Sequence, residues 1–552
     1  MKKKTICNPI NINYQYQGWM NPNARESADP TVVLYKDEYY LFASHGSGYW
    51  VSDDLANWEF IKIDTKKNPD FLRYAPGAAV YGDRMYLTHS DGALLYSDNP
   101  RDSDSWISLA SPYKWNDPSL FFDDGQLYVY EGLSTTEPLH VMRLNLSENS
   151  VSIAEGPVEI FQSDPKNRGF ERRKNYFDES SPTYLEGSWI NKINGKYYLT
   201  YAVPGTQFAI YADGCAIADS PMGPFTYCEN SPIVYKATGF MRGSGHGSLF
   251  QDKKGNYWKA DTVSISVHHI FERRLCLFPA KIGEDGLLYT NTYRADYPML
   301  LPHDTECPFE QSDAGWNLLS YKKCARASSV LDEAHTPDNA FDECMSSWWS
   351  AKSGEAGEWL EVDLGKVYGV CALQVNFADQ DIAPTICGRD LGFAYKYTVD
   401  ASVDGENWYT LIDRRDSLDD RSHEYFQLDD VTEIRYLRLT SCGVTPGYGK
   451  FSVCGLRVFG FGGGDAPSKA PDFKATRCDD ECNMKIVWAP VEGAQGYTVR
   501  FGINQSELHT HWQVIGECEA NIACLTRGVT YYVTVDAYNE SGTTYGTSVQ
   551  VV

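Results

Sequence analysis

A strand-turn-strand unit returns along the first three hundred residues, and its spacing limits the fold more than any other feature of the chain. The fourth copy reads Leu185-Glu186-Gly187-Ser188-Trp189, followed by Asn194-Gly195-Lys196-Tyr197-Tyr198-Leu199. Glu186 stands eleven residues before Tyr197, and the same interval separates Asp29 from Tyr40, Ala75 from Tyr86, Asp117 from Tyr128 and His246 from Tyr257. Between the strands lie short polar turns, among them Lys36-Asp37-Glu38, Asp123-Asp124-Gly125 and Asn194-Gly195, whose composition is that of hairpins. Five such units, 46, 42, 69 and 60 residues apart, imply radial repetition, and a five-bladed β-propeller is its natural container. Equivalent positions of a propeller share one depth around one axis. Asp29, Asp117, Glu186 and His246 are therefore expected at a common hub, where the small Ala75 leaves room. Carboxylates are rarely buried without partners, so two Asp and one Glu converging there mark a site rather than a core.

The length of 552 residues implies three to four domains. Aromatics at 14%, with 38 Tyr and 14 Trp and few helical periods, point to an all-β chain with surfaces suited to sugars. Asp and Glu outnumber Lys and Arg by 74 to 49, a net charge of −25, which argues against nucleic acid and anionic membranes as partners. Met1-Lys2-Lys3-Lys4 is followed by no apolar core, and no transmembrane run is found. A cytoplasmic location is the expectation, or a secreted one if a native leader is missing. The fifteen cysteines form no regular framework and read as free, mostly buried thiols.

Trp19-Met20-Asn21-Pro22-Asn23 resembles the nucleophile motif of the fructan-cleaving family 32 glycosidases without its Asp, a coincidence of loop composition. Asp29-Pro30 then opens the first blade, and Gly77-Ala78-Ala79-Val80 the second. Trp115-Asn116-Asp117-Pro118 opens the third, and Gly243-Ser244-Gly245-His246-Gly247 the fifth. A polar insertion over 162–181 precedes the fourth and is expected to rim the pocket. His268 to Leu275 should return to the axis, with the ring closing near Pro298.

Asp29-Pro30, Asp117-Pro118 and Glu186-Gly187, with the later Gly245-His246-Gly247 and Arg273, resemble glycoside hydrolase family 43 over roughly residues 8–300. The resemblance implies a five-bladed propeller and an inverting hydrolase, with Glu186 as general acid and Asp29 as general base. Asp117 is then the third carboxylate, which orients Glu186 and keeps it protonated. Inversion expects acid and base about 6.5–9.5 Å apart, with room for a water. Arg273, six residues before Pro279, is expected to hold a sugar hydroxyl and to balance Asp117; strand alternation makes Arg274 its rival. Trp115, just before Asp117, is the preferred sugar platform among Trp50, Trp115, Trp189 and Phe170. His246 has two readings: a ligand, through water, of a structural calcium at the propeller centre, or a hydrogen-bonded prop for the carboxylates. No cofactor is required.

The function implied is an exo-glycosidase acting on an oligo- or polysaccharide, α-L-arabinofuranosidase first. β-D-Galactofuranosidase, β-xylosidase and exo-β-galactosidase are alternatives on the same scaffold. A catalytically silent, lectin-like carbohydrate-binding protein is the alternative of another class. The sequence does not address oligomeric state.

After about residue 312 the character changes. Ser328-Ser329-Val330, Pro337-Asp338-Asn339-Ala340-Phe341, Trp348-Trp349-Ser350 and Trp359-Leu360-Glu361-Val362-Asp363-Leu364-Gly365 resemble a discoidin-type, family 32-like carbohydrate-binding module, a β-sandwich. Phe461-Gly462-Gly463-Gly464-Asp465-Ala466-Pro467 has the composition of a linker. Beyond it, Trp488 as core anchor and Tyr531 as corner tyrosine resemble a fibronectin type III domain, expected to act as spacer or docking module. The chain therefore divides into a propeller over 1–311, a discoidin-like module over 312–461 and a fibronectin type III-like domain over 467–552.

Overall fold

The computed structural model describes residues 3–16, 24–44, 46–64, 66–68, 71, 74–111, 113–265, 268–383 and 394–552. The Trp19–Asn23 motif lies outside the described residues. Five antiparallel sheets occupy the first half, each joined in sequence order from its inner strand outwards. Their inner strands are Thr31–Tyr35, Gly77–Tyr81, Ser119–Asp123, Glu186–Ile193 and Arg242–Gln251. Each inner strand contacts the inner strands of the sheets before and after it, and the fifth contacts the first, so the ring closes on itself. This is the five-bladed propeller. The fifth blade is complete within residues 242–290; near Pro298 the chain adds only a clip, Met299–Leu300 paired with Thr5–Ile6.

One backbone device heads the inner strands. Asp29, Ala75, Asp117 and His246 all take left-handed conformations, with φ of 54°, 48°, 47° and 51°. That region costs an L-residue about 1–2 kcal/mol, least for Asp and Asn, so the kink must be held from outside. It is held by the neighbouring blade. Ser44 accepts the N–H of Ala75 at 2.7 Å, Ser90 that of Asp117 at 2.8 Å, Asp213 that of His246 at 2.9 Å and Thr262 that of Asp29 at 2.7 Å. At the remaining boundary Gly132 takes the serine's place, and a backbone pair between Ser134 and Leu185 bridges blades three and four instead.

The eleven-residue interval marks equivalent positions only in the first three blades, where Tyr40, Tyr86 and Tyr128 pair with Val33, Ala79 and Phe121. In blade four Tyr197 pairs with Lys192, one place nearer the turn, and the left-handed position falls on Gly187, with φ 61°. A register shift between Glu186 and Trp189 absorbs the difference. In blade five a longer hairpin, Gln251 to Tyr257, restores the count by accident.

Residues 317–461 form an eight-stranded β-sandwich around one apolar core. The last segment, 473–551, forms two further antiparallel sheets. They do not stand off as a spacer. Met484, Ile486, Leu525 and Val535 share a core with Leu139, Phe161, Tyr201 and Tyr235 of blades three and four.

Gly187 tests the hub backbone. A Cβ there would lie 2.6 Å from Cγ of His246, whereas one on Gly82, at φ 57°, would meet nothing within 4 Å. Gly82→Ala should cost only the backbone strain, about 1–2 kcal/mol. Gly187→Ala should cost about 1–3 kcal/mol more by displacing the imidazole. Urea unfolding of both variants measures the gap.

Candidate active site

The left-handed residues turn their side chains into the hub, and the alternation of the flanking strands brings in the rest. Asp29, Asp117 and Glu186 are 5%, 7% and 8% exposed, buried but not wholly sealed from solvent. Asp29 accepts a hydrogen bond from Ser44 at one oxygen; its other oxygen lies 3.1 Å from Nη1 of Arg273 and 3.4 Å from Nδ1 of His246. Asp117 accepts from the Ser90 hydroxyl at 3.0 Å, and its second oxygen is 3.9 Å from the same imidazole nitrogen. Glu186 accepts from the Tyr211 hydroxyl at 2.6 Å. His246 thus stands between two of the acids, with Gly187 against its ring and its backbone fixed by Asp213.

The electrostatics separate the acids. Burial, then the negative charge of Asp117, push the Glu186 carboxyl up to about 7, against the opposing pull of His246 and Tyr211. Burial likewise raises Asp117, with His246 resisting and Asp29 adding to the rise. Burial disfavours the imidazolium of His246, but Asp29, Asp117 and Glu186 together hold it above the ordinary histidine range. Behind it, the fully buried Lys259 lies 2.6 Å from Asp213 and 2.7 Å from Asp261, an ion triad that fixes Asp213 as acceptor for the His246 backbone.

Arg273 faces the hub and Arg274 faces away. Arg273 places its guanidinium on Glu26 and Asp29 and reaches Thr206 at 3.4 Å. Its ion pairs are with Asp29 and Glu26 rather than with Asp117, because the Arg273 strand lies beside the lead-in strand Arg25–Glu26 and not beside blade three. Trp115 is not a sugar platform. It is 1% exposed, packed with Tyr86, Leu94, Leu109, Leu120 and Met142 between blades two and three, so no sugar face can reach its ring. Trp50, Trp189 and Phe170 are buried too. Tyr184, two residues before Glu186 in the chain, is 37% exposed, and the Arg173 guanidinium rests on its ring at 4.9 Å. Arg173 belongs to the 162–181 insertion, which therefore meets the segment leading into blade four at one end. Its Gly169–Glu171 turn is buried at the other, where Gly169 donates to Leu525 and Arg172 pairs with Asp480 of the C-terminal sheets.

A calcium ion needs six to eight oxygen ligands. One hub oxygen each is engaged by Ser44, Arg273, Ser90 and Tyr211, and among the described residues no group of three or more His, Cys, Asp or Glu is arranged to hold a metal. His246, 3.4 Å from Asp29 and 3.9 Å from Asp117, stands within reach of both carboxylates.

Glu26, Ser44, Ser90, Thr206, Tyr211, Asp213 and Thr262 complete the site and were not singled out in the sequence. Ser44 and Ser90 carried a signal, each fifteen residues after a hub position. Tyr211 carried none.

A closed propeller whose hub gathers three carboxylates, one of them held protonated near neutrality, defines a class of acid-base catalytic scaffold. Residues 20–288 match the family described as Glycosyl hydrolases family 43, and residues 325–452 match the F5/8 type C domain. A Humicola insolens protein named xylosidase/arabinosidase 43A is 44% identical over 269 residues, covering 36% of this chain and 78% of its own. A second from that organism, xylosidase/arabinosidase 43B, is 28% identical over 301 residues, 47% of this chain and 52% of its own. The chain belongs to glycosyl hydrolase family 43. It spans about half the length of several curated relatives it matches, 52%, 46%, 47% and 51%. A solved structure titled "Glycoside hydrolase" is similar with a TM-score of 0.45 at 21% identity, over 79% of this chain and 99% of that one.

Two variants should move Glu186 in opposite directions. Tyr211→Phe removes a donor to the carboxylate, so the proton is held more tightly and the basic limb of kcat/KM shifts to higher pH. Asp117→Asn removes the charge that favours protonation, so the same limb shifts to lower pH. Hydrolysis of aryl glycosides across pH checks both signs.

Proposed function

We propose that this chain is an inverting exo-glycosidase that removes terminal sugar units from an oligo- or polysaccharide. The observation that carries the proposal is the division of labour among the hub acids. Glu186 is positioned by Tyr211 and kept protonated near pH 7 by burial and Asp117, the condition required of a general acid. Asp29 sits beside a guanidinium and a hydroxyl, an arrangement that favours a carboxylate and suits it to activate water as general base. In the proposed reaction Glu186 gives its proton to the glycosidic oxygen as that bond breaks. Asp29 takes a proton from the water that adds to the anomeric carbon from the opposite face. Asp117 and His246 hold the two in place.

α-L-Arabinofuranoside is the first substrate proposed. The relatives named xylosidase/arabinosidase support testing β-D-xyloside beside it, and one named β-D-galactofuranosidase, from Aspergillus niger, keeps that furanoside in the panel. β-D-Galactoside completes it. The C-terminal sheets are proposed to be fibronectin type III-like, a reading supported by Trp488 in their core and by the Tyr531 hydroxyl, which accepts the Thr526 N–H at 3.0 Å as a corner tyrosine does.

A panel of these four nitrophenyl glycosides tests the reaction. Glu186→Gln and Asp29→Asn should each lower kcat by about 10³-fold or more on the best substrate. A dinitrophenyl leaving group, which needs no proton, should restore part of the Glu186→Gln loss and none of the Asp29→Asn loss. Proton NMR should show the inverted anomer first; a retained anomer would overturn the assignment of Asp29 as base.

A further inference from the structure

Two neighbouring strands at the hub carry the same alternation. In Arg25–Glu26 and in Arg273–Arg274 one residue faces the carboxylates and the next faces the F5/8 type C module. Glu26 and Arg273 are the inward pair and hold each other. The outward pair is held by the module. Arg25, 1% exposed, donates from Nε to Asp379 at 2.9 Å and through both terminal nitrogens to Asp420 at 2.8 Å each. Arg274 donates from Nε to Nε2 of His423 at 2.8 Å.

The His423 contact is chemically specific. A guanidinium can only donate, so Nε2 must carry the lone pair and Nδ1 the proton, which then goes to Oδ1 of Asn376 at 2.8 Å. Burial and the two arginines hold this imidazole well below the ordinary range, neutral and able to accept. Arg274 also donates to the carbonyls of Arg25 and Arg273 at 2.8 and 3.0 Å, which locks the two strands to one another. Tyr395 donates to the remaining oxygen of Asp379 at 2.7 Å. The links through Asp379 and His423 are buried and that through Asp420 is half-buried and bidentate, which distinguishes them from a tethered domain touching a surface.

From this we infer that Asp379, Asp420 and His423 of the F5/8 type C module are positioning residues of the active site. The module acts by fixing where Arg273 sits on Asp29, through Arg25 and Arg274, and the catalytic unit is propeller plus module rather than propeller alone. The inference rests on the proposed glycosidase reading of the hub. It adds to the reading of a carbohydrate-binding module that of a structural support of the site. Truncating any of the three residues frees a buried arginine beside Glu26 and Arg273, and a displacement of the order of 1 Å at reacting groups costs about 10²-fold in rate.

The test uses the full chain and four substitutions, with the thermal unfolding of each followed so that activity is compared only between folded proteins. Asp420→Asn and His423→Gln should each lower kcat/KM on the best aryl glycoside by about tenfold or more. If Asp420→Asn is unfolded at the assay temperature, His423→Gln decides. Gln427→Ala is the control: it cuts another module contact, to Thr5 and Lys3 of the lead-in, that ends outside the hub. It should leave kcat/KM within twofold. Because Asp420 is inferred to act through Arg25 on Glu26 and Arg273, its loss and that of Glu26→Gln should not multiply; the double variant should stay within twofold of the weaker single. Folded Asp420→Asn and His423→Gln proteins with wild-type kcat/KM overturn the inference alone, as do losses that multiply fully in the double variant. A wild type that turns over no glycoside overturns the enzymatic reading, and this inference with it.

Discussion

The structure depends on a left-handed residue at the head of an inner strand, held by a hydrogen bond from the blade before it. Without the kink, Asp29 and Asp117 would continue the alternation of their strands and point between blades. Without the acceptor across the boundary, the strained backbone would have a lower-energy extended alternative. The acceptors used are Ser44, Ser90, Asp213 and Thr262, and the last closes the circle by holding the first blade from the fifth. Ring closure and site assembly are therefore the same event. A serine that clips the next blade can also serve the carboxylate of the hub: Ser90 accepts the N–H of Asp117 and donates to its Oδ1.

Charge balance follows from this geometry. Three acids and one imidazole occupy a small, poorly solvated space, and they cannot all carry charge there at low cost. The hub resolves this by position. Asp29 has the guanidinium, His246 lies between Asp29 and Asp117, and Glu186 has a neutral phenol and the residual repulsion of Asp117. The proton accordingly rests on Glu186. Blade two contributes the small Ala75 and the Ser90 hydroxyl to this circle.

The domains after the propeller are built into it. The F5/8 type C module holds the lead-in strand and the Arg273–Arg274 strand together from outside. The C-terminal sheets share a core with blades three and four and pin the base of the 162–181 insertion. Buried hydrogen bonds on one side and a shared apolar core on the other make the surroundings of the hub stiff where a loop alone would be mobile.

The sequence by itself determined the propeller, the order of its blades and the identity of the hub acids, because hairpin periodicity and the recurrence of an acid at one offset are local properties. It distinguished Arg273 from Arg274 only as alternatives, and it misplaced Trp115, since adjacency in the chain says nothing about which side of a strand faces a pocket. The interval from Glu186 to Tyr197 gave the right residue through a register one place removed, rescued by a bulge at Gly187. Tertiary structure alone decided the rest. Tyr211 meets Glu186, Glu26 meets Arg273 and His423 meets Arg274 across 25, 247 and 149 residues of chain, and none of these pairs leaves a local pattern. Local periodicity fixes what a blade is; long-range packing fixes which charges share its centre, and the chemistry resides in the second.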